Sequence, residues 1–156
     1  MTKITRDLND YGFSTEVRVR LGETDAVGIV FFGSFAVYFD VGRMDYLAQL
    51  GLHHLDGPVK DLIPGAVVHQ EAHFHSPARY NDILVTHVRM ARIGTTSYTF
   101  HFLINQKRTR EVVSTRPQRA QQTKQRNLRE QRGAQPRAQQ LLKLLCAHGQ
   151  PRDRQG

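Results

Sequence analysis

The sequence has 156 residues, one cysteine, no tryptophan and a formal net charge of +8, which fits one ordinary soluble domain. The charge is unevenly distributed, because residues 1–116 carry 13 basic and 12 acidic side chains whereas residues 117–156 carry 9 and 2. All the aromatic residues lie at or before Phe102. The positive charge therefore describes the C-terminal segment, and it is weak evidence that the whole protein binds nucleic acid.

Several other classes of protein are excluded by composition. The single cysteine, Cys146, can form neither an intramolecular disulfide nor a cysteine metal cage, which suits a reducing compartment. The longest apolar stretch, residues 29–39, is too short to span a bilayer and is interrupted by Gly33 and Ser34. Because no apolar signal segment follows the N-terminal charges, we expect a cytoplasmic protein without a membrane partner.

The first predicted elements are a strand and a helix joined by a polar loop. Apolar and polar residues alternate over residues 13–21, which predicts a half-buried strand. The polar loop over residues 22–28 follows. Gly33 and Ser34 then mark a helix start, with Ser34 as candidate N-cap, and Gly51 marks its end. Apolar residues occupy much of the helix circumference, so we expect a mostly buried helix.

A period of two returns at Ala66 and predicts an antiparallel sheet. The expected elements are a strand over residues 66–75, a turn over 76–82, a strand over 83–93, a hairpin turn over 94–96, a strand over 97–104, a polar connection over 106–110 and a fifth strand that starts at 111–115. One long helix against one face of an antiparallel sheet is an α+β architecture.

Residues 23–35, 75–82 and 91–98 carry a resemblance to a known family. The first reads Glu-Thr-Asp-Ala-Val-Gly-Ile-Val-Phe-Phe-Gly-Ser-Phe and is similar to the family's Asp-x-Asp-x-x-Gly-[Ile/Val]-Val-[aromatic] loop before a long helix. The chain thus resembles hotdog-fold acyl-CoA thioesterases of the 4-hydroxybenzoyl-CoA thioesterase and YbgC-like group. The resemblance implies a central helix wrapped by an antiparallel sheet and hydrolysis of an acyl-CoA thioester.

The resemblance assigns the catalytic carboxylate to Asp25, in the loop before the helix. Glu23 replaces the first aspartate of the family's pattern, and Gly28 would keep the backbone close to the acyl group. Amides at the helix start can hold the developing oxyanion. The expected oxyanion donors are Gly33, Ser34 and Phe35. Asp25 would act as nucleophile or as general base on water, and its alternative role is to cap a turn.

Two aromatic residues depart from the family's pattern. At position 32 YbgC-like members have His and the hydroxybenzoyl enzymes Tyr, whereas Phe32 neither donates nor accepts a proton. Phe31 likewise replaces a Tyr that is common in the YbgC-like branch. We therefore predict an apolar pocket for an aliphatic or aryl acyl group without a ring hydroxyl. No His lies between Asp25 and Leu52, which argues against the dehydratases of the same superfamily.

Coenzyme A is part of the expected substrate, so we predict no separate cofactor. Its phosphates need basic side chains or backbone donors near the pocket mouth. On the hairpin where related enzymes place phosphate contacts, the candidates are Arg92, Thr95, Thr96 and Ser97. Further candidates are Arg79 and Arg89, and for each arginine a solvated surface position is the alternative.

Four polar side chains alternate along one predicted strand: His69, Glu71, His73 and His75. A period of two places them on one face, where imidazoles and a carboxylate can converge on zinc. Residues two apart on a strand are about 6.5–7 Å apart, so all four can hardly share one ion. We favour a polar sheet edge or a subunit contact and predict no metal site.

The C-terminal segment does not fit the preceding domain. Arg and Lys alternate with Gln over residues 119–137, as in a polyanion-binding arm, but the interleaved aromatics of a single-strand binder are absent. The alternative is that out-of-frame translation replaces the end of the fifth strand. Unpaired ladder groups would then cost several kcal/mol of a typical total of about 5–15 kcal/mol. A short helix at Leu141–Leu145 could cover the gap.

The sequence thus predicts a hotdog-like α+β domain over residues 1–116, with an incomplete final strand, and a basic, partly disordered or helical tail over residues 117–156. The favoured function is acyl-CoA thioester hydrolysis by a homodimer or homotetramer with its active site between subunits. A non-catalytic acyl-CoA-binding protein, or RNA association through the tail, is the alternative.

Overall fold

The computed structural model describes residues 4–50 and 66–121. The helix α1 spans Phe35–Gln49. The strands are β1 (Phe13–Arg18), β2 (Ala66–Gln70), β3 (His73–Phe74), β4 (Ile83–Ile93), β5 (Ser97–Gln106) and β6 (Val112–Gln121). Single 3-10 turns lie at Leu8–Asp10, Leu21–Glu23 and Phe32–Ser34. Among these described residues no helix is long and apolar enough to cross a membrane.

The strands form one antiparallel sheet in the order β1-β4-β5-β6-β2, and β3 also pairs with β6. The helix packs on one face of this sheet, so the predicted α+β class is confirmed. The hairpin turn over residues 94–96 joins β4 to β5 as expected. The core lies between α1 and the sheet, and its large, fully buried side chains include Tyr38, Phe39, Leu84, Phe100, Phe102 and Ile104.

The helix α1 buries one face against the sheet. Its buried residues recur at helical spacing: Phe35, Tyr38, Phe39, Gly42, Tyr46 and Leu47. At Gly42 an added Cβ would lie 2.5 Å from Cγ2 of Thr86, so glycine permits the close approach of helix and sheet. Val37 is exposed on the opposite face. The expectation of a mostly buried helix is therefore wrong, because only one face of α1 is buried in the described part of the chain. Gly51, the predicted helix end, lies outside the described residues.

The last strand is longer than predicted. β6 continues to Gln121, with β5 on one side and β2 and β3 on the other. The prediction that this strand stops short of Pro117 is wrong, and the predicted boundary between residues 116 and 117 falls inside it. The Pro117 carbonyl accepts a hydrogen bond from the Glu71 amide at 3.3 Å. The N–H and C=O of one strand residue point to the same side, so the donor that proline lacks faces the gap between β2 and β3.

Candidate active site

The loop before α1 is closed by its own backbone. An isolated antiparallel bridge joins Thr24 to Val30, and the Asp25 amide donates to the carbonyl of Ile29 at 2.8 Å. Gly28 takes the left-handed conformation, with φ of 78°, and its amide donates to the carbonyl of Asp25 at 3.0 Å. Glycine is favoured at this position because the turn needs a positive φ.

The side chain of Asp25 is half-buried in this loop. Its Oδ1 accepts hydrogen bonds from the amides of Val27 at 2.9 Å and Ile29 at 3.4 Å. In the part of the chain that the structure describes, no hydrogen bond reaches Oδ2. One carboxylate oxygen therefore orders the turn, as in the alternative reading of Asp25, while the other stays available for chemistry.

The start of α1 offers two free amides. The Ser34 amide donates to the carbonyl of Phe31 at 2.9 Å, and the Phe35 amide donates to the carbonyls of Phe32 and Gly33. Within the described ranges the amides of Phe32 and Gly33 have no acceptor. Of the three expected oxyanion donors, only Gly33 thus has a free N–H, and Phe32 adds one that the sequence analysis missed.

Ser34 does not cap the helix as predicted. It occupies the N-cap position with helical backbone angles, and its side chain accepts no hydrogen bond from a first-turn amide. Its hydroxyl instead donates to the carbonyl of Glu23 at 3.1 Å. This hydrogen bond links the loop to the helix start, and the Ser34 side chain does not act as an N-cap.

Exposed aromatic rings lie next to the free amides. Phe31 is 45% and Phe32 68% exposed, and their ring centroids are 4.4 Å apart. The Phe31 ring covers Gly33, since an added Cβ there would lie 2.6 Å from the ring. Val27, in the Asp25 loop, is also exposed. The loop and helix start together present an apolar surface beside a carboxylate and two free N–H groups.

Glu23 contacts three groups that the sequence pattern did not indicate. Its carboxylate accepts hydrogen bonds from the Tyr38 hydroxyl at 2.7 Å, the Arg20 amide at 2.8 Å and Nε of Arg20 at 2.8 Å. Burial raises the pKa of Glu23, but these hydrogen bonds and the Arg20 charge outweigh it and hold the pKa below its ordinary value. Burial and the bond to Glu23 raise the pKa of Tyr38.

The predicted phosphate contacts lie in three different places. Arg79 adjoins the loop, because its backbone forms a bridge with Ile29. Arg89 lies on the sheet face opposite α1, where its guanidinium contacts Nδ1 of His101 at 3.3 Å and the Tyr11 ring at 5.7 Å. Only Arg79 of this group is next to the Asp25 loop.

The hairpin candidates lie far from Asp25 in the same chain. The turn before β4 contacts the loop, since the Val30 amide donates to the carbonyl of Ala78 at 2.8 Å. Ile83–Ile93 is about 30 Å long at the usual rise of a strand, so the hairpin lies at the opposite end. The candidates on it are Arg92, Thr95, Thr96 and Ser97, and one chain does not bring them to the loop.

The histidine run is interrupted. The strand breaks after Gln70, so the four side chains do not share one regular strand. Nε2 of His73 lies 3.0 Å from Oε1 of Glu71, and the rings of His73 and His75 stack with centroids 6.5 Å apart. Nδ1 of His75 also lies 3.2 Å from the Arg6 guanidinium. A ring nitrogen that binds a metal would have to be free of such a contact. The described residues contain no group of three or more side chains that could hold a metal.

Comparison with known families decides where the chain belongs. Residues 27–113, more than half of the sequence, match the model of the thioesterase superfamily. The chain belongs to the thioesterase superfamily. The matched segment contains Phe31, Phe32, the helix start and Arg79, and it ends at Val113 within β6.

Individual proteins are similar to this member of the thioesterase superfamily in sequence or in fold. The candidate acyl-CoA thioesterase YneP of Bacillus subtilis is 32% identical over 72 residues, which are 46% of this chain and 51% of YneP. The chain thus matches about half the length of that relative. A DHNA-CoA thioesterase from Staphylococcus aureus superposes with a TM-score of 0.69 at 20% identity, over 88% of this chain and 94% of that one.

A thioesterase from Thermus thermophilus, solved with coenzyme A and zinc, superposes with a TM-score of 0.62 at 18% identity, over 73% of this chain and 81% of that one. At these identities the structural matches establish the fold alone. They confirm the predicted hotdog fold for this member of the thioesterase superfamily.

Proposed function

We propose that this protein hydrolyses an acyl-CoA thioester. The observation that carries the proposal is the loop at the start of α1, where a half-buried aspartate keeps one oxygen without a hydrogen bond and two backbone amides, seven and eight residues later, have no acceptor among the described residues. In a low-dielectric site such amides stabilise the oxyanion that forms when a thioester carbonyl is attacked. Membership of the thioesterase superfamily supports the same chemistry.

Two routes use the free Oδ2 of Asp25. As a nucleophile it attacks the thioester carbonyl, the C–S bond breaks, coenzyme A leaves as its thiol after protonation, and water hydrolyses the acyl-aspartyl anhydride. As a general base it takes a proton from a water molecule that attacks the carbonyl directly. In both routes the amides of Phe32 and Gly33 would receive the oxyanion. The products are a free acid and coenzyme A.

We propose an apolar acyl group, because Val27 in the Asp25 loop and Phe31 and Phe32 at the helix start are exposed apolar side chains. None of these side chains donates or accepts a strong hydrogen bond, so a ring hydroxyl on the substrate would be buried without a partner. An aliphatic acyl group, or an aryl group without a hydroxyl, therefore fits this surface. Arg79 is the proposed phosphate contact from the same chain. No separate cofactor is needed.

We further propose a homo-oligomer with its active site between subunits, as a dimer or a tetramer in the cytoplasm. Phe31 and Phe32 are large apolar side chains that are exposed in the single chain. Their exposure supports a second copy of the chain that covers them. A second copy would also be needed for the hairpin around Arg92 and Ser97 to contribute phosphate contacts. Arg89 is excluded from our phosphate-binding proposal because it contacts His101 on the other sheet face.

The test is thiol release from a panel of short, long and aromatic acyl-CoA substrates. We expect Asp25→Asn and Asp25→Ala to lower turnover by roughly 100- to 10,000-fold, the usual contribution of a positioned acid or base. Circular dichroism checks that both variants stay folded. Asp10→Asn, a change at an exposed residue, is the matched control and should keep wild-type turnover.

Retained turnover in folded Asp25→Asn would reject the mechanism. If the wild-type protein binds acyl-CoA esters but hydrolyses none of them, it is instead a non-catalytic binding protein. Nucleic-acid affinity that falls steeply with salt would support the polyanion alternative for the tail, because phosphate contacts release counterions.

A further inference from the structure

We propose that Glu23 and Tyr38 are positioning residues, which hold the Asp25 loop against the start of α1 in the geometry that hydrolysis needs. This inference rests on the proposed function of Asp25. It adds a partly buried hydrogen bond, between the Glu23 carboxylate and the Tyr38 hydroxyl, to the parts of the site.

The Glu23 side chain joins the loop to the helix body. Its side chain is 13% exposed, and Tyr38 is fully buried one turn into α1. The 2.7 Å bond between them therefore lies in an environment of low dielectric, where a hydrogen bond to a carboxylate is strong. Arg20 completes the contact from the strand side through its amide and its guanidinium.

The Glu23 backbone joins the two sides of the same loop. Its carbonyl accepts hydrogen bonds from the Phe31 amide at 2.9 Å and the Ser34 hydroxyl at 3.1 Å. Asp25 lies two residues after Glu23, and Gly33 lies between Phe31 and Ser34. Fixing Glu23 therefore limits how far the Asp25 carboxylate can move relative to the Gly33 amide.

The contacts favour a positioning role over a catalytic one. The Tyr38 hydroxyl is buried and directed at Glu23, so no substrate atom can reach it. The Glu23 charge is balanced by the Arg20 guanidinium, with Nη2 at 2.5 Å from Oε1. A balanced carboxylate does not repel the oxyanion that forms at the helix start, whereas an unpaired one would.

The experiment compares Tyr38→Phe, Glu23→Gln and the double variant with Tyr46→Phe. Tyr46 is the matched control, because it is another buried tyrosine of α1 and its hydroxyl makes no hydrogen bond within the described residues. We expect Tyr38→Phe to lower kcat about tenfold with KM nearly unchanged, since a displacement well under 1 Å has an effect of this order. The double variant should lose less than the product of the two single losses, because the two side chains share one hydrogen bond.

A second readout does not depend on activity. The amides of Val27 and Ile29 donate to Asp25, so their hydrogen exchange reports the order of the loop. We expect faster exchange of both amides in Tyr38→Phe and in Glu23→Gln, and exchange at the wild-type rate in Tyr46→Phe.

Each outcome bears on the proposal. Wild-type kcat in Tyr38→Phe overturns it, even if Tm falls, because the contact would then serve stability alone. Additive losses in the double variant also overturn it. If the wild-type chain hydrolyses no acyl-CoA, the proposed function fails, and the exchange data alone decide whether Glu23 and Tyr38 order the loop.

Discussion

The His101 imidazole is buried on the sheet face opposite α1, with 1% of its surface exposed. Its Nδ1 lies 3.3 Å from the Arg89 guanidinium, and its Nε2 has no partner among the described residues. Burial, followed by the positive charge of Arg89, lowers the pKa of His101 from 6.5 to about 4. A single residue thus makes the stability of the fold depend on acidity.

We expect the free energy of unfolding to fall as the pH decreases from 6.5 to about 4. In this window the unfolded chain binds a proton at His101 that the folded chain does not bind, so acid favours unfolding. Below the folded pKa both states are protonated, and the contribution of His101 ends. Chemical denaturation at a series of pH values measures the slope.

His101→Gln should reduce that slope, because glutamine does not titrate. At pH 8 histidine is neutral in both states, so a comparison there isolates the packing effect of the substitution. An unchanged slope in His101→Gln would contradict the assignment to His101.

Separation along the chain decided which parts of the candidate site could be predicted. Asp25 and Gly28 could be proposed as site residues because the loop pattern is contiguous in sequence, and the structure places both in one turn. The contact between Glu23 and Tyr38 was not predicted, because the two residues lie 15 positions apart and on different elements. No local pattern indicates a contact of that kind.

Among the secondary-structure elements, β6 differs most from its sequence-based prediction. Its register with β5 places Arg116 opposite Phe102 and Gln118 opposite Phe100, two side chains of the core. Both polar residues are buried, and the Arg116 guanidinium lies 4.9 Å from the centre of the Phe39 ring. Burial is the main cause that lowers the pKa of Arg116. We expected this strand to destabilise the fold through unpaired backbone groups. Because its backbone pairing continues, the free-energy cost comes instead from the burial of its polar side chains.

We predict that Arg116→Leu stabilises the protein, by up to about 1–4 kcal/mol, the range found when well-packed apolar residues replace a buried ion pair. The Nε of Arg116 has no hydrogen-bond partner among the described residues, and the guanidinium is held by the Phe39 ring and by attraction to the Asp40 charge. Thermal denaturation measures the change as a higher Tm.

Arg119→Leu is the matched control for this strand. Arg119 is exposed, so the same substitution there should change stability by less than about 0.5 kcal/mol. Equal effects at both positions, or a lower Tm in Arg116→Leu, would contradict the conclusion that burial of the Arg116 charge destabilises the fold.

At the scale of the whole molecule, the two outer strands of the sheet differ in character. On β1 the outward residues are polar, and Glu16 pairs with Lys107 at 2.7 Å, which discourages further strand pairing. On β2 the exposed residues include Val67 and Val68. An apolar outer strand is a suitable place for a second copy of the same chain to pair, with two-fold symmetry.

We therefore predict that sedimentation equilibrium gives a multiple of the 17.9 kDa chain mass and that Val68→Lys shifts it to the monomer. A lysine at this exposed position should leave the fold intact while it repels its symmetry mate. Ser14→Lys, on the exposed side of β1, is the matched control and should leave the mass unchanged. A wild-type monomer at assay concentration would contradict the oligomer proposal.

Local sequence patterns were enough to predict the helix start, the long strand Ile83–Ile93, the hairpin after it and a loop that contains Asp25, because each depends on neighbours along the chain. The extent of β6 depends instead on its pairing within the folded sheet. Its residues from Arg116 onward show no strand periodicity, and they are held as a strand by backbone pairing to neighbours on both sides. Backbone hydrogen bonds are the same for every residue except proline, so pairing can extend a strand where side chains do not predict one.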